Sequence, residues 1–233
     1  MRIKRQDIKL YMMILPTFTL LVVFLLYPSI NAIIKSFFQW RLGDYYNPKF
    51  IGLGNFVALL KDQVFIKSVG ILAICVTWQL FILIFATMPL TYLVYKLGDS
   101  RTAGFFKTLY VLPYMIPLIV GVLFWKFFYD PNMGLLNAIF EFFGANSSNL
   151  PVWLGDKQTA LPAILFVGFP YINPFNFLIF LAGFQSISDS LHDAALIDGA
   201  GPFAQFLRID IPIIIPQIKI LVMLTLIDGF QQY

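Results

Sequence analysis

Long apolar runs alternate with short polar stretches along this chain. Within the runs, polar residues do not recur every second position, as they would in a half-buried strand. In ILAICV and FILIFA every position is apolar or small. Five runs stand out, over about Leu10 to Ile34, Val69 to Tyr95, Thr108 to Phe128, Ala160 to Phe184, and Ile211 to Tyr233. Each exceeds the ~18 residues that make a spanning segment, because about 20 residues at 1.5 Å each cross the hydrocarbon core. Backbone groups in lipid must pair internally, so the runs are predicted to be helices. A membrane barrel would alternate over strands of about ten residues. The predicted class is an all-α, polytopic transmembrane protein with five visible spans.

Prolines sit inside these spans. Pro16 and Pro28 are expected to bend or loosen the first. Pro113 and Pro117 fall in the third, and Pro162, Pro170 and Pro174 in the fourth. The connection from Lys35 to Ser68 contains WRLGDYYNPKFIGLGNF, a turn-rich run followed by a short amphipathic piece, and the one from Asp130 to Thr159 contains GLLNAIFEFFGANSSNLPVW, read as a short helix and a turn. On the opposite side lie residues 1–9, Gly98 to Lys107, and a polar loop over residues 186–210.

Composition agrees with this pattern. The chain is 59% hydrophobic and 12% charged, against about a quarter charged in soluble domains. Arg2, Lys4, Arg5 and Lys9 favour a cytoplasmic N-terminal tail. The other loops barely discriminate: the tail's side totals eight basic residues and the far side seven, with Lys219 inside the fifth span. The net charge of +4 is dispersed, leaving no basic stripe for nucleic acid. Single cysteine and histidine residues make no metal cage, and Cys75 reads as a small buried hydrophobe. GLGNFV lacks the third glycine and the preceding strand of a dinucleotide fingerprint, and no phosphate-binding G-x-x-x-x-G-K run is present.

The polar loop carries the most information. Ser188 and Ser190 offer capping side chains, and Asp189 and Asp193 suit the positive end of a helix. A short helix through Ala194 and Ala195 is predicted to end near Asp198-Gly199, where glycine suits a left-handed residue. Gly201-Pro202 then restarts a helix. Phe203, Phe206 and Leu207 fall on one face at helical spacing, with Arg208 on another side. Small residues at Ala194, Ala195, Gly199 and Ala200 permit close approach by a second surface.

This stretch, DAALIDGAGPFAQFLRIDIPIIIP, resembles the EAA loop of ABC importer permeases. Ala194, Ala195, Asp198, Gly199, Ala200, Phe206, Ile209, Pro212 and Pro216 match, and Asp193 stands where the pattern has glutamate. FFKTLYVLPYMIPLIVGVLFWKFFYDPNMGLLN resembles the third-span region of the carbohydrate-type permeases. FLLYPSI, KFIGLGNFVALLKD and LIFLAGFQSI resemble further parts of that family, so the likeness covers most of the chain. Family members have a sixth span and a cytoplasmic C-terminus. This chain ends at IDGFQQY within the fifth run, so the expectation is a truncated form lacking that span.

The resemblance implies a permease subunit in a prokaryotic cell membrane. It implies a second permease subunit, two ATPase subunits and an extracellular solute-binding protein as partners, a sugar or polyol as substrate, and surrounding lipid. It implies no cofactor in this chain, since ATP and magnesium belong to the ATPase subunits, and no enzymatic activity of its own. Coupling to the ATPase is expected at Asp193, Ala194, Ala195, Asp198, Gly199, Ala200, Phe203, Phe206 and Arg208. Polar residues at membrane depth usually face a cavity or a partner. With the family likeness, that suggests a substrate pathway at Tyr171, Asn173, Phe175, Asn176, Thr225, Asp228, Gly229 and Gln232. The rival reading is a secondary transporter or channel with no ATPase partner.

Overall fold

The computed structural model describes residues 5–40, 48–146, 149–168 and 173–231. The chain divides into two compact units, residues 1–71 and 72–233.

In the first unit, α1 (Arg5–Leu21) passes through a π turn at Val22–Leu26 into α2 (Tyr27–Lys35). Apolar side chains along it are widely exposed, Met13 by 78% and Phe24 by 74%. A helix that is apolar all round is built for a greasy environment. A short antiparallel pair follows, β1 (Phe38–Gln39) with β2 (Lys49–Phe50), in the register Phe38 to Phe50 and Gln39 to Lys49. Next comes α3 (Gly54–Lys61), the amphipathic piece expected from the sequence. Asn55 Nδ2 fastens its start by donating to the carbonyls of Ser36 (2.8 Å) and Phe38 (3.0 Å).

Helix α4 (Gln63–Ile82) leads through a second π turn, Leu83–Thr87, into α5 (Met88–Lys96). A third π turn lies at Phe206–Asp210. Each of the three ends two residues before a proline, namely Pro28, Pro89 and Pro212. Proline has no N–H for the i−4 carbonyl, and its ring crowds that carbonyl. The wider turn moves the ladder to i−5 bonds, such as Tyr27 N to Val22 O, and the helix continues. Pro16, by contrast, is carried within continuous α1.

After α6 (Arg101–Val111), capped where Ser100 Oγ accepts from Ala103 N at 3.1 Å, the chain takes a 3₁₀ turn at Leu112–Met115 and resumes as α7 (Leu118–Phe128). The two halves meet at 95°, so the third apolar run is a sharply bent pair rather than one rod. The cause is local: Pro117 pushes Ile116 into the extended region, at φ −78° and ψ 122°.

The fourth run is also broken, into α9 (Ala160–Leu165), which follows α8 (Leu135–Phe142), and α10 (Pro174–Gln185). Carbonyls freed at the end of α9 find side-chain donors. Tyr129 Oη donates to Ala163 O at 2.9 Å, and Trp78 Nε1 donates to Leu165 O at 2.6 Å. A broken helix survives in an apolar setting when such partners exist.

The polar loop folds as α11 (Asp189–Ile197), α12 (Pro202–Gln205) and, beyond the third π turn, α13 (Ile211–Ile213). The chain then bends by 67° at Ile214 into α14 (Ile215–Gln231). Core residues Leu83, Tyr92, Phe180, Phe184, Ile214 and Leu221 pack together where α5, α10 and the start of α14 meet. Close contact at Gly183 lets α10 approach α14, since a Cβ there would lie 3.1 Å from Gln217. The buried core therefore sits at the end of the unit that carries the polar loop.

Candidate functional site

Helix α11 starts after extended Ser188, at φ −69° and ψ 133°. The expected serine cap does not form: the Ser188 and Ser190 hydroxyls pair with each other at 2.7 Å instead. Asp189 remains in the first turn, where its charge suits the helix dipole. The C-terminal stop forms as the sequence predicts. Gly199 takes φ +74°, Gly199 N donates to Leu196 O at 3.1 Å, and Ala200 N donates to Ala195 O at 2.8 Å. These two crossed bonds form a Schellman closure, which satisfies the last carbonyls of α11. Buried Gln205 braces the turn by donating from Nε2 to Ala200 O at 2.9 Å.

The nine residues expected to couple divide into two groups. Asp193, Ala194, Asp198, Gly199, Phe203 and Arg208 are exposed, while Ala200 is half-buried. Ala195 is buried against its own fold. Phe206 turns inward, its ring 4.4 Å from Tyr92, whereas Phe203 (73% exposed) and Leu207 (46%) face out. The three do not share one environment, because the π turn beginning at Phe206 shifts the phase and the Tyr92 ring takes up that side chain. Leu196 (62% exposed) and Ile197 (87%) extend the outward apolar face and were not singled out from the sequence.

The loop sits on an aromatic seat from α5 and α10. Tyr92 contacts Phe184 at 5.3 Å, Tyr95 stacks on Phe184 at 5.7 Å, and Tyr95 lies 6.4 Å from the His192 ring. Beside this seat His192 Nε2 meets Asp210 Oδ1 at 2.6 Å, with the Asp210 side chain wholly buried. Sequence reading passed over this pair, since a lone histidine in a loop signals nothing until the turn at Gly199 brings it back to a residue 18 positions on.

The expected pathway residues lie on two helices. Asn173 caps α10: its Oδ1 accepts from Phe175 N at 2.9 Å and Asn176 N at 3.4 Å, ahead of Pro174 at the first helical position. Phe175 is exposed and Asn176 half-buried on the first turn. On α14, Thr225 is half-buried and Asp228 exposed. Gly229 is buried at a helix contact, where an added Cβ would come within 2.5 Å of Val76 Cγ2. Tyr171 and Gln232 lie outside the described residues.

A separate hub follows α7. Asp130 Oδ1 accepts from Asn132 N (2.9 Å) and Met133 N (3.0 Å), and these bonds, helped by Lys126, hold its carboxyl below the usual carboxylate range. Asn137 Nδ2 donates to Pro131 O at 2.8 Å, and Trp153 Nε1 donates to Asn137 Oδ1 at 2.6 Å. Next to it lies a cavity of about 420 Å³ lined by Trp125, Phe128, Phe140, Trp153 and Phe166 among others.

The family of binding-protein-dependent transport system inner membrane components matches residues 88–233. The chain belongs to this family. Members similar to it include the diacetylchitobiose uptake system permease protein NgcF of Streptomyces coelicolor, 31% identical over 201 residues. That match takes in 83% of this chain but only 56% of the relative's length. The sn-glycerol-3-phosphate transport system permease protein UgpA of Escherichia coli is 31% identical over 225 residues, 94% of this chain and 72% of that protein. The crystal structure of a bacterial ABC transporter involved in the import of the acidic polysaccharide alginate holds a chain of the same fold. It superposes with a TM-score of 0.79 at 23% identity, over 98% of this chain and 75% of that one. The all-α, membrane-spanning permease fold is thus shared.

Proposed function

We propose that this chain is the transmembrane permease subunit of an ATP-driven ABC importer in a prokaryotic cell membrane, with its N-terminus in the cytoplasm. It forms half of a pathway for a sugar or related polyol delivered by an extracellular binding protein. A second permease completes the pathway, and two ATPase subunits carry ATP and magnesium, so this chain holds no cofactor and hydrolyses nothing. The observation that carries the reading is the outward face of α11 and its closing turn: Asp193, Ala194, Leu196, Ile197 and Asp198 are exposed on a helix whose own His192 sits against Tyr95 of α5.

That face suits a groove on an ATPase. Leu196 and Ile197 supply apolar area, Ala194 permits close approach, and the acids set orientation. Nucleotide binding would bring the ATPases together, and the seated loop would pass the motion on as a rigid-body switch. ATP and the loaded binding protein would each favour the state they bind better. For the solute, Phe175, Asn176, Thr225 and Asp228 offer aromatic area and hydrogen-bonding groups on α10 and α14. The names of the relatives, which concern a disaccharide and a glycerol phosphate, support a polyhydroxylated substrate.

Co-purification with the ATPase tests this reading. The full-length protein should retain the ATPase, and Ala194→Trp, which adds bulk on the exposed face, should release it without loss of the folded permease. Release of the solute carrier from any need for an ATPase, or an unchanged complex with tryptophan at that position, would favour a secondary transporter or channel.

A further inference from the structure

We infer that His192 and Asp210 form the joint that makes the polar loop a single lever, so that movement of α11 is delivered to the chain at Ile214 and not absorbed within the loop. The inference rests on the coupling role proposed above. It concerns positioning residues, because neither side chain belongs to the exposed face.

The pair closes the loop on itself. His192 lies in the middle of α11, and Asp210 ends the π turn that precedes Pro212. Between them run the Schellman turn, braced by Gln205, and the short α12. At 2.6 Å the contact is a short hydrogen bond, with side-chain exposure of 12% for His192 and none for Asp210. A carboxyl taken out of water needs its partner. Pulling α11 away would take from a wholly buried acid the histidine it is bonded to, which is unfavourable.

A second donor lies close by. From α5 the Tyr92 hydroxyl faces the same carboxyl, but Tyr92 Oη and Asp210 Oδ2 are buried without a well-formed hydrogen bond of their own. Lys96 Nζ lies over the Tyr92 and Tyr95 rings, at 5.3 and 5.5 Å. From α10 comes the apolar Phe184, and Phe206 covers Tyr92. With the loop locked at both the glycine turn and the His–Asp bond, the first irregular backbone beyond it is Ile214, at φ −89° and ψ 7°, where the chain bends by 67°. A buried pair that ties two segments into one body, with a bend just outside it, is suited to carrying motion.

The test uses the complete transporter, with ATPases, in proteoliposomes. Three variants are compared with wild type: His192→Ala, Asp210→Asn, and the two combined. Two quantities are read, the thermal midpoint and the solute taken up per ATP hydrolysed. His192→Ala should lower both, because it takes the bonded histidine from the buried acid. The double variant removes that acid and should recover the midpoint. Its uptake per ATP should stay about tenfold low, since the tie is still missing. If the double variant regains uptake per ATP together with stability, or if His192→Ala changes neither quantity, the joint is overturned while the permease reading stands. A wild-type chain that assembles with no ATPase overturns the permease reading and this inference with it.

Discussion

Gly199 and Gly134 are both glycines by necessity, for different reasons. At Gly199 the constraint is the backbone, since φ is +74° and an added Cβ would meet nothing within 4 Å. Gly199→Ala should therefore cost about 1–2 kcal/mol, the penalty of a left-handed residue with a side chain. At Gly134 the constraint is contact, because a Cβ would lie 2.2 Å from Asp130 O. Gly134→Ala should cost about 3 kcal/mol or more by overpacking. Thermal unfolding of the two variants in detergent should rank Gly134→Ala as the worse. Asp130 next to it should be sensitive to acid. Its folded carboxyl is held below the ordinary value by the amides of Met133 and Asn132. Its contribution is thus present above about pH 3.9, the unfolded value, and is lost as pH falls through the lower folded one. Protection of the Met133 amide from hydrogen exchange should persist through pH 5 and fade only in stronger acid. In Asp130→Ala it should be absent throughout. Protection that fades near pH 5 would contradict the hydrogen bonds described.

Among the elements, those shaped by proline were partly legible in the sequence. Proline inside a span predicts a bend or a loosened ladder, and three π turns stand two residues before Pro28, Pro89 and Pro212. The 95° break of the third run was not foreseen, because an apolar run of that length reads as one rod unless the extended bias of Ile116 before Pro117 is given weight. The stop of α11 was legible, since glycine after a short helix has one strong use. The seat beneath it was not: Tyr92 and Tyr95 lie about a hundred positions earlier, and no local pattern links them to the loop. Asn173 shows a role the sequence analysis did not assign. Asparagine before proline signals a helix start, and its Oδ1 accepts the two amides of that cap. Tyr92→Ala should destabilise the protein by about 3 kcal/mol, through lost packing on Phe184 and Phe206, while Tyr92→Phe should cost much less. Comparable midpoints for the two variants would show that the hydroxyl, and not the ring, holds the seat. Trp78→Phe should cost about 1–3 kcal/mol by leaving the Leu165 carbonyl without its indole donor.

At the scale of the whole molecule, two irregularities adjoin the expected sites: α10 starts afresh at Pro174, and the chain bends by 67° at Ile214 just past the polar loop. The long apolar runs mark a membrane protein, and the family match places it among the inner membrane components of binding-protein-dependent transport. What then distinguishes an importer subunit from a carrier that works alone is the source of energy. The direct measurement is solute uptake into proteoliposomes holding the full-length protein with its partner permease and ATPases, with the binding protein supplied on the outer permease face and ATP on the ATPase face. The account predicts uptake that requires both and stops when either is withheld. Uptake that proceeds without ATP, down an ion gradient or the solute's own, would contradict it.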